Sequence, residues 1–184
     1  MIDPNRDHRL AEIAGLAVKL ESSTEVPALS TVAQWAVESK WGAAPAGEHN
    51  CFGIKRASRH TLYCLKTTRE WYCQAQIDHW NHEHPDRKAR PTGKVSPSGK
   101  LDVMLDDEFA DYRSLEESVA DYCWLISHGS PYAAAWKEYL VNRNIPQLVA
   151  GVANAYSTTE DYQNLVNAIA GQSNVRNAIA AARS

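Results

Sequence analysis

The sequence predicts an α+β fold, mostly α, with a small β-containing insertion after the second helix. Two observations predict it. Apolar residues recur at helical spacing near both ends of the chain, while the stretch from about 51 to 112 turns rich in Thr, Tyr and Leu and then in Pro and Gly. A third is length: 184 residues suit one domain that buries a core without needing disulfides or metal. No internal repeat is evident.

The elements follow in order. Asp3 can cap a first helix, Pro4 suits its first position, and Leu10, Ile13, Ala17 and Leu20 fall on one face. A polar break from Glu21 to Glu25 follows. A second helix opens at Pro27 and runs to about Trp41, where Gly42 is placed to stop it. Leu29, Val32, Ala33, Ala36 and Val37 form its core face, with Thr31, Gln34, Trp35 and Glu38 on a neighbouring one. Thr61 to Tyr72 reads as a strand. Gln74 to Lys100 holds Pro85, Pro91, Gly93, Pro97 and Gly99 and reads as a long excursion, with a short helix near Ile77 to His82. Val103 to Tyr112 supplies a return strand. The remainder is helical. Ser114 and Glu117 make a capping box, Gly129 ends that helix, and Ser130-Pro131 opens the next. Asn144 caps a third, Thr158 or Thr159 a fourth, and Asn174 to Arg183 closes the chain.

Composition narrows the function. A net charge of −3 gives no basic field to hold a phosphate backbone, which argues against nucleic acid. No apolar run approaches the roughly 20 residues a bilayer span needs, so no membrane span is expected. The first residues lack the apolar core of a signal peptide. Six Trp and eight Tyr beside two Phe suit stacking on sugar rings as well as partial burial. Cys51, Cys64, Cys73 and Cys123 match neither a dense disulfide scaffold nor a paired zinc site, and read mostly as small buried thiols. In His79-Trp-Asn-His-Glu-His84, with Cys73 and Asp78 nearby, potential metal ligands alternate, but the spacing fits no closed site. Neither a metal nor another cofactor is expected.

The most informative segment is Ala33 to Gly42. A carboxylate near the end of a core helix, bracketed by Trp35 and Trp41, loses hydration, which favours its protonated form. Glycosidic cleavage needs such an acid beside the leaving oxygen, together with a second carboxylate. From the residues alone a solvated Glu38 on an open helix face accounts for the pattern as well.

Gln34-Trp-Ala-Val-Glu-Ser-Lys-Trp-Gly42 resembles the Glu-Ser-x-Trp-Gly helix of the glucosaminidases of glycoside hydrolase family 73, in the lysozyme-like superfamily. Asn50-Cys-Phe-Gly-Ile-Lys55, Thr68-Arg-Glu70, Phe109 to Ser114 running into Glu117-Ser118, and Tyr156-Ser-Thr158 with Tyr162 continue the likeness in the family's order. The resemblance implies a lysozyme-like helical body with a β-lobe of about 51–112, whose loop 74–100 is extended, all within one catalytic domain of 1–184. By it Glu38 matches the general acid, Glu70 the second carboxylate and Tyr156 the cleft tyrosine. Asn50 and Phe52 match the turn lining the cleft, and Trp35, Tyr132 and Tyr162 join them as expected substrate contacts. Ala110 stands where the family often has Arg, and Thr159-Glu160 replaces its usual Asp-Pro.

The implied function is hydrolysis of the β-1,4 bond after N-acetylglucosamine in peptidoglycan glycan strands, by a monomer working in the periplasm or cell wall. The export route stays open between a phage lysin and a secreted enzyme trimmed of its leader. A muramidase or lytic transglycosylase on the same fold, a wall-binding module without turnover, and a hydrolase of protein-linked glycans are the alternatives. A carboxylate separation of about 6.5–9.5 Å favours direct attack by water; a larger gap demands hinge movement or participation of the substrate's acetamido group.

Overall fold

Two helices open the chain, α1 (Arg6–Thr24) and α2 (Ala28–Glu38). In this computed structural model, which describes residues 5–156 and 161–184, they belong to the larger of two compact units, Met1–Ile54 with Asp111–Ser184. Glu25 ends α1 in the left-handed region, its N–H bonded to the Glu21 carbonyl, and extended Pro27 starts α2. The expected caps Asp3 and Pro4 lie outside the described residues.

Three further helices and a short 3₁₀ turn build the rest of this unit up to residue 156. They are α4 (Leu115–His128), the turn Ser130–Tyr132, α5 (Ala133–Asn142) and α6 (Ile145–Tyr156); α7 (Tyr162–Ala170) and α8 (Ser173–Arg183) complete it. Ser114 Oγ accepts from Glu117 N at 3.2 Å, while the Glu117 carboxylate takes the N–H of Arg113, one residue before the cap. Asn144 Oδ1 accepts from Gln147 N at 3.1 Å. The Thr158 or Thr159 cap falls outside the described residues.

Helix α2 is the hub, touching α1, α4, α6, α7 and α8. Its expected division into core and open faces does not hold: residues 28 and 30–36 are all buried, as befits a helix surrounded by others. The polar members are satisfied in place, since Ser30 and Thr31 hydroxyls both donate to the Pro27 carbonyl. Leu20, Leu29 and Val37, expected in the core, are only partly buried.

The second unit, Lys55–Ala110, holds β1 (Tyr63–Tyr72), α3 (Gln74–Glu83), β2 (Arg90–Val95) and β3 (Leu101–Ala110). The sheet is antiparallel in the order β1-β3-β2, with Glu70 opposite Val103 and Lys66 opposite Asp107. The excursion 74–100 is therefore more ordered than its prolines suggest. Its helix is longer than the one expected and opens on a box in which the Gln76 side chain accepts the Cys73 N–H. Val103 and Leu105 meet Ile77 of α3 in a small core edged by Tyr72, Trp80 and Leu101. The other sheet face is ionic: Asp102 takes Arg69 and Thr92, Asp106 takes Arg90 and Thr67, and Glu108 takes Arg56 and Arg87.

No disulfide joins the four cysteines, all of which lie among the described residues. Cys51 and Cys123 are the buried thiols expected, burial pushing each up to about 11, whereas Cys64 is partly exposed and Cys73 exposed. Among the described residues no three His, Cys, Asp or Glu side chains gather as a metal site. No helix among them is long and apolar enough to cross a membrane.

Candidate active site

Helix α2 ends on Glu38, three residues earlier than the stop signal of Gly42 suggests. Ser39 causes the early stop: its Oγ donates to the Trp35 carbonyl at 2.6 Å and accepts the Gly42 N–H at 2.7 Å, offering the backbone a rival to helical bonding. Lys40, Trp41 and Gly42 then run through the left-handed region, at φ 51°, 62° and 77°. Helix α1 steadies this costly turn. Arg9 Nε donates to the Trp41 carbonyl at 2.8 Å, and the Arg6 guanidinium lies 3.6 Å above the Trp41 ring. The backbone carrying Glu38 is thereby held from both sides.

The carboxylate, partly buried, faces an aromatic wall. Tyr162 O–H donates to Glu38 Oε1 at 2.5 Å. Tyr156 stacks 6.2 Å from Tyr162, and Tyr132 lies 6.1 Å from Tyr156. Burial first, with the Glu38 charge adding to it, pushes Tyr156 and Tyr162 far above the ordinary phenol range and raises Tyr132. All three stay neutral hydroxyls at any working pH.

The loop from Asn50 to Ile54 brings the chain back to the carboxylate. Asn50, with no exposed surface, is its internal brace: Nδ2 donates to the Ile54 carbonyl at 2.8 Å, and Oδ1 accepts the N–H groups of Phe52 and Ile54. Gly53 has φ +64°, and a Cβ there would sit 3.5 Å from Glu38 Oε2, so a bare backbone passes beside the acid. Tyr156 O–H donates to the Phe52 carbonyl at 2.5 Å, and the Phe52 ring stacks on Tyr122 at 4.2 Å.

Glu38, Tyr156, Tyr162, Tyr132, Asn50 and Phe52 thus gather in one unit. Trp35 lies in the same unit but is only 1% exposed, its ring edge-on to Trp41 at 6.1 Å. Glu70 belongs to the β unit. There its carboxylate, 15% exposed, is 3.4 Å from Lys55 Nζ, which also pairs with Asp107 at 2.9 Å. Burial opposes the charge on Lys55, but the hydrogen bond to Asp107 and the negative charges of Glu70 and Asp107 outweigh it and raise its pKa.

Two groups at the site went unassigned from sequence. Gln34, one turn before Glu38 on the same helix, donates through Nε2 to the Tyr162 hydroxyl at 3.1 Å. Tyr122 O–H donates in turn to Gln34 Oε1. The spacing of four between Gln34 and Glu38 was the available signal, since it stacks both on one helix face.

The profile of the glucosaminidase family described as mannosyl-glycoprotein endo-β-N-acetylglucosaminidase matches residues 14–175, and the chain belongs to that family. Among curated protein sequences none matches. Several solved structures share the fold. The catalytic domain of the autolysin Auto from Listeria monocytogenes is 21% identical with a TM-score of 0.62, covering 97% of this chain and 89% of its own. A mutant peptidoglycan hydrolase from Sphingomonas sp. A1 is 19% identical with a TM-score of 0.65, covering 95% and 99%. A truncated glycoside hydrolase domain of FlgJ from Salmonella typhimurium is 21% identical with a TM-score of 0.53, covering 90% and 95%.

Proposed function

We propose that the chain is a peptidoglycan hydrolase that cuts the β-1,4 bond after N-acetylglucosamine, with Glu38 as general acid. The observation that carries this is the setting of Glu38: a partly buried carboxyl at the end of the hub helix, with a tyrosine hydroxyl donating to it and a glycine backbone alongside. The names of the Listeria and Sphingomonas structures, an autolysin and a peptidoglycan hydrolase, support the substrate class. Such an enzyme acts outside the cytoplasm.

Protonated Glu38 gives its proton to the bridging oxygen as the bond to the anomeric carbon breaks, and the electron pair stays with that oxygen. Positive charge develops on the sugar ring. Tyr156 has committed its own proton to the Phe52 carbonyl, so toward the substrate it presents an oxygen lone pair, which suits that charge. Glu70, beside Lys55, is the second carboxylate. It either activates the attacking water or assists while the substrate's acetamido group attacks. Asn50 and Phe52 hold the loop next to the acid, and Tyr132, Tyr162 and Trp35 set the wall behind it.

Mass spectrometry of purified, digested peptidoglycan tests the bond. Reducing-end N-acetylglucosamine supports the proposal. Reducing muramic acid, or anhydro-muramic products, reject it in favour of a muramidase or transglycosylase. Release of sugars from glycoproteins alone rejects the wall substrate.

A further inference from the structure

Tyr162 has one hydroxyl proton and two neighbours that can accept it. One is the Glu38 carboxylate, 2.5 Å away; the other is the side-chain amide of Gln34, 3.1 Å away. Which one receives the proton depends on how that amide is turned. With Nε2 toward Tyr162 the amide donates, and the tyrosine proton is left for Glu38. With Oε1 toward Tyr162 the amide accepts, and Glu38 loses the Tyr162 proton. Tyr122 settles the choice, because its O–H donates to Gln34 Oε1 and pins the oxygen on the far side. Gln34 and Tyr122 are fully enclosed, so no water can substitute for either partner.

We infer that Gln34 and Tyr122 are positioning residues whose hydrogen bonds aim the Tyr162 proton at Glu38. The bonds run in one direction, from Tyr122 to Gln34 to Tyr162 to the carboxylate, so each donor polarises the next. Neither Gln34 nor Tyr122 hydrogen-bonds Glu38 directly; both act through Tyr162. The arrangement helps the acid when it has given up its proton, since a hydroxyl already aimed at Oε1 stabilises the carboxylate left behind. The inference rests on the role of Glu38 proposed above and extends it to the groups that orient its partner.

Gln34→Glu is the informative variant. It keeps the size of the side chain and, above the pH at which it ionises, offers an acceptor to both tyrosines, which pulls the Tyr162 proton away from Glu38. Gln34→Met keeps the volume and competes for nothing, so Tyr162 still donates to the acid. We expect Gln34→Glu to lower kcat on peptidoglycan about tenfold or more with KM little changed, and Gln34→Met to lower it much less. In a Tyr162→Phe background Gln34→Glu costs no further turnover, because the proton it diverts is already gone. Among the described residues, the titratable groups whose electrostatics Glu38 touches are Tyr122 from α4, Tyr132 from the 3₁₀ turn, Tyr156 from α6 and Tyr162 from α7, all neutral. Removing the Tyr162 donor therefore moves the alkaline limb of the pH–rate profile upward, and a purely structural loss does not.

Proton NMR of tyrosine-labelled protein gives a readout independent of turnover. The Tyr162 hydroxyl proton resonates far downfield in the native protein, stays there in Gln34→Met and moves upfield in Gln34→Glu. Tyr122→Phe, which lets the amide turn, gives a mixture of the two signals if the fold does not tolerate Gln34→Glu. Equal losses in Gln34→Met and Gln34→Glu, additive losses in the Tyr162→Phe background, or an unmoved resonance overturn the inference. Should Glu38→Gln keep its activity while the resonance still shifts, the functional reading fails and the aiming of the proton stands.

Discussion

The two units keep their polar groups in opposite ways. In the helical unit the buried polar side chains among the described residues are uncharged: Ser30, Thr31 and Asn50 bond to backbone, and Gln34 to the hydroxyls of Tyr122 and Tyr162. In the β unit the apolar cluster beneath α3 holds three buried residues, and cross-strand ion pairs cover the opposite sheet face. A neutral, enclosed network fixes directions without depending on pH or salt. A ladder of charge pairs whose Arg69 and Arg90 ends reach solvent depends on both. The unit that carries the proposed acid is the one built to hold a geometry, and the difference can be tested.

The largest expected effect is on the β unit's core. Leu105→Ala should cost about 2–5 kcal/mol, the usual range for truncating a buried leucine. With only Ile77 and Val103 buried beside it in that cluster, and the rest of its neighbours partly exposed, little is left to absorb the loss. Hydrogen exchange should show protection collapsing across residues 63–110 while the helical unit keeps its own. Equal loss of protection in both units would show that they share one cooperative transition. A smaller effect, about 1 kcal/mol, is expected of Gly53→Ala, since a Cβ is strained at φ +64° and would stand 3.5 Å from the acid. Thermal melting should register that cost together with a drop in turnover; unchanged turnover would mean that the backbone there is not part of the site.

Acid should separate the units further. Arg69 first, and Thr92 with it, hold the Asp102 carboxyl near pH 2 against an ordinary 3.8, and Asp106 and Glu108 are lowered by Arg90 and Arg56 in the same way. A lowered folded-state value means stability fully present above the unfolded value and lost as pH falls through the folded one. Protection in the β unit should therefore decline between about pH 4 and pH 2, and Asp102→Asn should flatten the decline. The smallest effect is that of salt. Raising it at neutral pH should loosen the β unit slightly and leave the helical unit unchanged, as fluorescence of Trp80 and of Trp35 would respectively report.

What could be read from sequence divides along the same line. Helix limits set by local chemistry were legible, as at Ser114, Gly129 and Asn144, because a cap is decided within a turn of the chain. The strand β2 was not. All six of its residues are exposed, so no alternation marks it, and it is held to β3 partly by Arg90 and Thr92 reaching across to Asp106 and Asp102. The stop at Glu38 was misplaced by three residues because Gly42 signals an end and Ser39 does not, although Ser39 makes the bonds. Glu38 itself was named through a family likeness. Gln34, one turn away, drew no role because its partners lie 88 and 128 residues along the chain. Periodicity placed it on a face, but only the packing of α4 and α7 against α2 shows what it holds.

The leaving-group dependence of the Glu38→Gln variant tests the proton-donor claim most directly. On peptidoglycan, where the leaving sugar oxygen needs a proton, turnover should fall by at least about 100-fold. On a 2,4-dinitrophenyl glycoside of a chito-oligosaccharide, whose leaving group departs without one, the variant should keep most of the native rate. A loss of equal size on both substrates would contradict the account, because it would make Glu38 a structural or binding residue and leave the bridging oxygen without its acid.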